Sequence, residues 1–236
     1  MPKLSSNKRT LNFTSVKVLK VKELKVKLFS ETIGTFFLLL IVVGSGIMGE
    51  NLTSNKAVVL LANSTATFLG LTVLIWTFAP YSGSHFNPAV SIIMMVLGRL
   101  TRTEAILFMF CQVLGGVAGV MVANIIFDLS IISISENVRL TRGIFISEII
   151  ATVGLLNTIL LVGKQRAELV AVAVGMYIGA AYWFTSSTSF SNPAVTIART
   201  LSDTFTGISP SDVLPFIIAQ FIGTLIVYLL YRFVYE

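Results

Sequence analysis

The chain is poor in charge and in reactive side chains. It has one cysteine and one histidine, and only 12% of its residues are charged. A single thiol, Cys111, excludes an internal disulfide and says nothing about redox compartment. With one histidine and one cysteine there is no metal-ligand cluster. No glycine-rich phosphate loop is present, and the nucleophile candidates lack a base. The expectation is therefore no enzyme, no cofactor and no metal site. A soluble domain carries roughly 25% charged residues. No polar stretch here exceeds the N-terminal tail, so a separate soluble domain is not expected. The tail also lacks a small-residue cleavage site after a short apolar core, so it does not read as a signal peptide.

What the chain does have is apolar length. It is 55% hydrophobic, with a mean hydropathy of +0.87. Its apolar runs reach the ~20 residues a helix needs to cross a bilayer. The alternating ten-residue segments of a spanning barrel are missing. The expected fold class is an all-α membrane protein. Spans are expected at 29–48, 57–79, 104–127, 143–162, 168–184 and 213–235. The net charge of +6 is concentrated in residues 1–28, which hold eight of the seventeen bases, from Lys3 to Lys27. No nucleic-acid motif or aromatic platform accompanies them. The tail reads as a juxtamembrane segment beside anionic lipid, with an interfacial helix over 16–28 left open. Of the remaining bases, Arg99, Arg102, Lys164, Arg166 and Arg232 fall on the tail's side of the membrane. Only Lys56, Arg139, Arg142 and Arg199 fall opposite. Both termini are thus expected in the cytoplasm, in a cell membrane of bacterial inner or plasma type.

Two short stretches interrupt the spans: His85-Phe86-Asn87-Pro88-Ala89-Val90 and Phe190-Ser191-Asn192-Pro193-Ala194-Val195. Asn is a favoured N-cap, and the fixed φ of Pro suits the first turn of a helix. Each stretch therefore opens a helix abruptly. About ten residues follow, or ~15 Å, half of a ~30 Å hydrocarbon core. Other phrases recur as well. Ser30-Glu31-Thr32 matches Ser147-Glu148-Ile149, and the surroundings of Gln112 match those of Gln220. The offsets vary, as a duplication with loop drift leaves them. The expected organisation is a tail (1–28), a first repeat (29–127), a connecting loop (128–142) and a second repeat (143–236). Three spans per repeat put the second copy upside down, which brings paired half-helices together at the midplane.

Non-helical backbone at that depth belongs in protein or along a wet cavity. Two positive helix ends facing each other disfavour cations and hydronium. Each Asn can use its oxygen on a helix-end N–H and still direct its NH2 inward. The chemistry expected is passive selection by dipole, donors and bore.

At these residues the chain resembles the aquaporin, or major intrinsic protein, family. The likeness runs over about 29–235. It includes Glu31 to Phe36, Gly70 to Val73, Ser82 to Val90, and Gln112. The resemblance implies six spans with two re-entrant half-helices, a homotetramer with one pore per subunit, and transport of small neutral solutes. Pore motifs are implied at Asn87, Pro88, Ala89, Asn192, Pro193 and Ala194. Structural support is implied at Glu31, Glu148, His85 and Gln112. Most of the family has arginine directly after the second Asn-Pro-Ala, at the outer constriction; here it is Val195. Family spacing puts Ser189 and Ala180 at two further constriction positions and Leu69 at the fourth. The implied ring is wide and uncharged. The substitution is similar to that of a bacterial branch associated with arsenic resistance. The implied solutes are arsenous acid and methylated arsenicals, glycerol-like polyols and water.

Plainer readings stand beside sharper ones. His85 offers a pH gate, or packing under its loop. Glu31 and Glu148 offer a proton relay, or acceptors for re-entrant backbone. Gln112 and Gln220 read as scaffold, and Cys111 as core. Arg199 either replaces the missing charge at the outer mouth, or snorkels outward and pairs with Asp203. Tyr182, Trp183 and Phe184 read as an interfacial belt. Gly115/Gly119 and Gly175/Gly179 read as close helix crossings. The rival functions are a plain water channel and, from another class, a proton-coupled secondary transporter, which would need a titratable group at the midplane.

Overall fold

A computed structural model describes residues 13–235, with side chains from residue 21. The part of the basic tail before residue 13 lies outside the described residues. Eight α-helices follow in order: α1 (Phe13–Leu52), α2 (Lys56–Ser82), α3 (Pro88–Val96), α4 (Arg102–Ile126), α5 (Arg142–Gln165), α6 (Val170–Phe184), α7 (Pro193–Ala198) and α8 (Pro210–Leu230). A 3-10 turn (Ala167–Leu169) precedes α6, another (Arg199–Leu201) continues α7, and a π-helical turn (Tyr231–Tyr235) closes α8. There is no strand among the described residues. Six helices are long and apolar enough to cross a membrane, and α3 and α7 are the two short ones.

The helix ends follow from local chemistry. Asn55 caps α2 by accepting from the Ala57 N–H at 3.0 Å. Thr101 and Glu104 cap α4 reciprocally, each side chain taking the other's backbone N–H. Thr141 caps α5 through the Ile144 N–H at 3.1 Å. At the far end of α2, Gly83 sits at φ 87°, a left-handed C-cap that glycine adopts freely. The juxtamembrane segment, whose mixed periodicity left its structure open, is helical from Phe13. No Gly or Pro falls between Phe13 and Ile33, so nothing breaks the helix. It runs straight into the first span as one 40-residue element. At ~1.5 Å per residue that is ~60 Å, about twice the hydrocarbon core. Lys27 fixes its lower half, bridging Glu23 at 2.9 Å and Glu104 of α4 at 3.1 Å.

Helices α1 and α4 pack together, as do α5 and α8, and α2 meets α6 between the two pairs. Small residues permit the closest crossings. A Cβ on Gly115 or Gly119 would collide with the Thr32 or Phe36 carbonyl of α1. One on Gly175 would collide with the Thr72 hydroxyl of α2. Large apolar side chains such as Phe29, Trp76 and Phe110 are exposed on the outside of the bundle, where a lipid-facing protein places them. Both short helices are buried among α4 and α8 and touch each other.

Candidate functional site

The starts of α3 and α7 meet inside the bundle. Asn87 is extended, at φ −157°, and its Oδ1 accepts from the Ala89 N–H at 2.8 Å. Asn192 does the same at φ −156°, accepting from Ala194 at 3.0 Å and Val195 at 3.3 Å. The remaining polar atoms cross over. Asn87 Nδ2 donates to the Ser191 carbonyl and Asn192 Nδ2 to the Phe86 carbonyl, each at 2.8 Å. One proton of each NH2 is thus spent on the opposite loop, and one is left for the cavity both residues line. Inward-pointing amides are therefore also the clasp between the two loops.

The loops are held in costly backbone. Phe86 (φ 48°) and Ser191 (φ 46°) precede the two asparagines in the left-handed region, as do Ser84, Thr188 and Ser189 nearby. Such residues persist where their surroundings over-determine them, at ~1–3 kcal/mol each. Here carboxylates do so. Glu31 accepts from the His85 N–H at 3.0 Å, the Phe86 N–H at 2.8 Å and the Ser82 hydroxyl at 2.6 Å. Glu148 accepts from the Phe190 and Ser191 N–H groups, both at 2.9 Å. Gln112 then donates to Glu31 (2.7 Å) and Ser91 (3.0 Å), as Gln220 does to Glu148 (2.8 Å) and Thr196 (2.9 Å). Both acids are fully buried behind the loops and neither lines the cavity. His85 does line it, with Nδ1 3.1 Å from the Ser91 hydroxyl and its ring edge-on to Phe108 at 5.4 Å.

Four helix faces complete the wall. Leu38 and Val42 come from α1, and Leu155 and Ile159 from α5. Thr67, Leu71 and Ile75 come from α2; Val170, Val174, Ile178 and Tyr182 come from α6. Each set steps by four residues, the spacing of one helix face. The space open to water-sized molecules inside is about 100 Å³. Among the described residues, no Asp, Glu or Lys is on its wall.

Of the expected constriction residues, Ser189 and Val195 lie on this wall, but Leu69 and Ala180 do not. Leu69 is 54% exposed. Ala180 opens onto an outer surface depression with Leu61, Met176 and Trp183. The reason is helical register. Position 69 is two residues from both Thr67 and Leu71, and 180 is two from both Ile178 and Tyr182. Two residues turn a helix by about 200°, so both point away from the cavity. For Ala180, the stretch between α6 and Asn192 is too short for the family spacing that placed it; Leu69 is two residues off the face that Thr67 and Leu71 set. Thr67 and Tyr182 occupy the wall instead, their hydroxyls 3.2 Å apart. The apolar stripe at 170, 174 and 178, extended by one step, points to Tyr182. The aromatic cluster therefore divides: Trp183 and Phe184 are outside, and Tyr182 is inside.

Arg199 neither snorkels nor pairs with Asp203. It is 3% exposed and lines the cavity. Its Nε donates to the Thr206 carbonyl, and its guanidinium carbon lies 3.6 Å from the centre of the Phe190 ring. The Asp203 carboxylate is used elsewhere, accepting from the Glu136 N–H at 3.0 Å and the Ser135 hydroxyl. Arg139, from the connecting loop, also lies over Phe190 at 5.4 Å and donates to the carbonyls of Gly207 (2.6 Å) and Phe205 (2.7 Å).

Comparison with known proteins bears on this geometry. The model of the family described as Major intrinsic protein matches residues 17–185. The aquaglyceroporin AqpS of Rhizobium meliloti (strain 1021) is 44% identical over 207 residues, which cover 88% of this chain and 89% of that protein. The aquaporin TIP1-1 of Arabidopsis thaliana is 28% identical over 162 residues, 64% of each chain. Among solved structures, the aquaglyceroporin from Plasmodium falciparum superposes with a TM-score of 0.69 over 90% of this chain and 97% of its own, at 23% identity, a likeness of fold.

Proposed function

From the premise that the chain belongs to the major intrinsic protein family, whose members are channels for water and small solutes, we propose that it passes small uncharged hydroxylated solutes by diffusion. Glycerol-like polyols and arsenous acid are the solutes proposed, with water alongside. The observation that carries this reading is the composition of the outer wall. Val195 occupies the position directly after the second Asn-Pro-Ala, and the hydroxyls of Thr67, Tyr182 and Ser189 share the same cavity. A wall whose constriction residues are uncharged and carry a few hydroxyls suits a solute that is itself neutral and carries several OH groups. Arsenous acid, As(OH)3, is neutral near pH 7 and similar to a polyol in shape. The relative named an aquaglyceroporin supports the polyol class.

A proton-coupled transporter would need a titratable group where the half-helices meet, and the groups there are two amides. A tetramer in the plasma membrane, with both termini cytoplasmic, completes the proposal. The test is one proteoliposome preparation in which water, glycerol and arsenite permeability are measured together, with and without a pH gradient. The expected result is glycerol and arsenite uptake well above empty liposomes and indifferent to the gradient. Water flux alone would replace this reading with a plain water channel. Val195→Arg should cut glycerol uptake about tenfold or more, because a guanidinium there fills the bore. Unchanged uptake would remove Val195 from the filter.

A further inference from the structure

Arg199 is left over by this scheme. It is a guanidinium buried in the wall of a cavity that, among the described residues, is lined by no Asp, Glu, Lys or other Arg. No carboxylate pairs with it among the described residues. Its Nε is spent on Thr206, and Nη1 and Nη2 make no hydrogen bond to the protein among the described residues. Neither atom is among the enclosed side-chain atoms that lack a partner, so both reach open space. The open space at a residue so nearly covered is the cavity it lines. Phe190 lies under the guanidinium and is itself fixed edge-on to Phe216 at 5.1 Å. An aromatic face favours a cation resting on it. Arg139, Tyr182 and Glu148 lie close enough for electrostatic interaction with Arg199.

We propose that Arg199 is the specificity-determining residue of the outer mouth. It sets a fixed positive charge on the wall, one helical turn or ~6 Å further along than Val195, and presents two NH2 groups to the oxygens of a passing neutral solute. Charge and bore width are thereby uncoupled. Val195 leaves the ring wide, while Arg199 turns away cations, hydronium included, from beside it. Phe190 is the positioning residue that keeps the guanidinium flat against the wall. This inference rests on the channel reading above.

The test measures potassium, proton and glycerol permeability in the same liposomes for wild type, Arg199→Gln, Arg199→Lys and Phe190→Leu. Removing a unit charge at ~6 Å in an environment of intermediate dielectric should raise the cation-to-glycerol permeability ratio at least ~10-fold in Arg199→Gln. Arg199→Lys keeps the charge and should hold the ratio within about threefold of wild type. Phe190→Leu frees the guanidinium and should raise the ratio by an intermediate factor, and it carries the test if Arg199→Gln does not assemble. A ratio unchanged in Arg199→Gln or in Phe190→Leu overturns the proposal. Wild type that passes no glycerol sinks the channel reading instead, so the two failures are distinguishable.

Discussion

The two half-helix sites are built on one plan and finished differently. Counting from each asparagine, the residue three on is valine in both (Val90, Val195), and the residue four on is a hydroxyl bonded to a glutamine (Ser91, Thr196). Each preceding loop hangs from one buried carboxylate. The wall positions on α1 and α5 lie at equal distances from those carboxylates: Leu38 and Val42 after Glu31, Leu155 and Ile159 after Glu148. Seven residues on, the plan diverges. The first site places Met94 on the cavity wall and the second places Arg199. Two residues before the asparagine, His85 stands against Phe190. The scaffold that holds the two half-helices is common to both halves, and the chemistry proposed to discriminate among solutes is confined to one mouth.

The largest effect should come from the shared scaffold. Glu31→Leu leaves the N–H groups of His85 and Phe86, the Ser82 hydroxyl and one Gln112 donor without their acceptor. Glu148→Leu does the same to Phe190, Ser191 and Gln220. Each buried donor left unpaired costs ~1–3 kcal/mol, so either variant should lose about 3 kcal/mol or more. Thermal unfolding in detergent, or failure to elute as a folded species, reads this. Tolerance of one substitution and not the other would break the equivalence of the two loops.

The next effect should separate cavity wall from outer face on a single helix. Tyr182→Ala removes a ring from the wall, and the glycerol-to-water permeability ratio should rise severalfold as the bore widens. Ala180→Val sits on the outward depression with Met176 and Trp183 and should leave that ratio within about twofold, since a surface change away from the site alters little. The opposite pattern in stopped-flow shrinkage would return Ala180 to the pore.

These two positions also show what was legible in the chain. The half-helices could be read because their signals are local: Asn as cap, Pro at the first turn, and a length half that of a span. The carboxylate and glutamine pairs could be read because they repeat. The face of α6 that lines the cavity could not be had by counting back from Asn192. That count crosses the bend 185–191, whose length is its own, and an error of two residues turns a helical side chain to the opposite face. The stripe at Val174 and Ile178 held the register within the helix itself. Arg199 was beyond any local rule. Its place depends on Phe190, within that bend, and on the Thr206 carbonyl in the loop that follows. A charged residue near a helix end reads as surface unless such partners are known. The continuous α1 was legible in hindsight from an absence, since neither Gly nor Pro marks the membrane boundary.

The smallest effect sharpens the comparison at its most similar point. Thr196 donates to the Asn192 carbonyl at 2.9 Å and accepts from Gln220. Ser91 accepts from Gln112 and faces His85. Thr196→Ser keeps the hydroxyl and loses a buried methyl, about 1 kcal/mol of packing. Thr196→Val keeps the shape and loses the hydroxyl. The Gln220 donor still has Glu148, so the cost is that of one net hydrogen bond, again ~1 kcal/mol. Both variants should unfold slightly earlier than wild type and conduct glycerol at an unchanged rate, because neither change reaches the cavity wall. If Thr196→Val instead lowered conduction while Thr196→Ser did not, the hydroxyl would be setting the pose of Asn192. The second site would then depend on a hydroxyl-to-carbonyl bond within its own helix, where the matching Ser91 hydroxyl meets His85 instead, and the two scaffolds would differ at the one position where they look most alike.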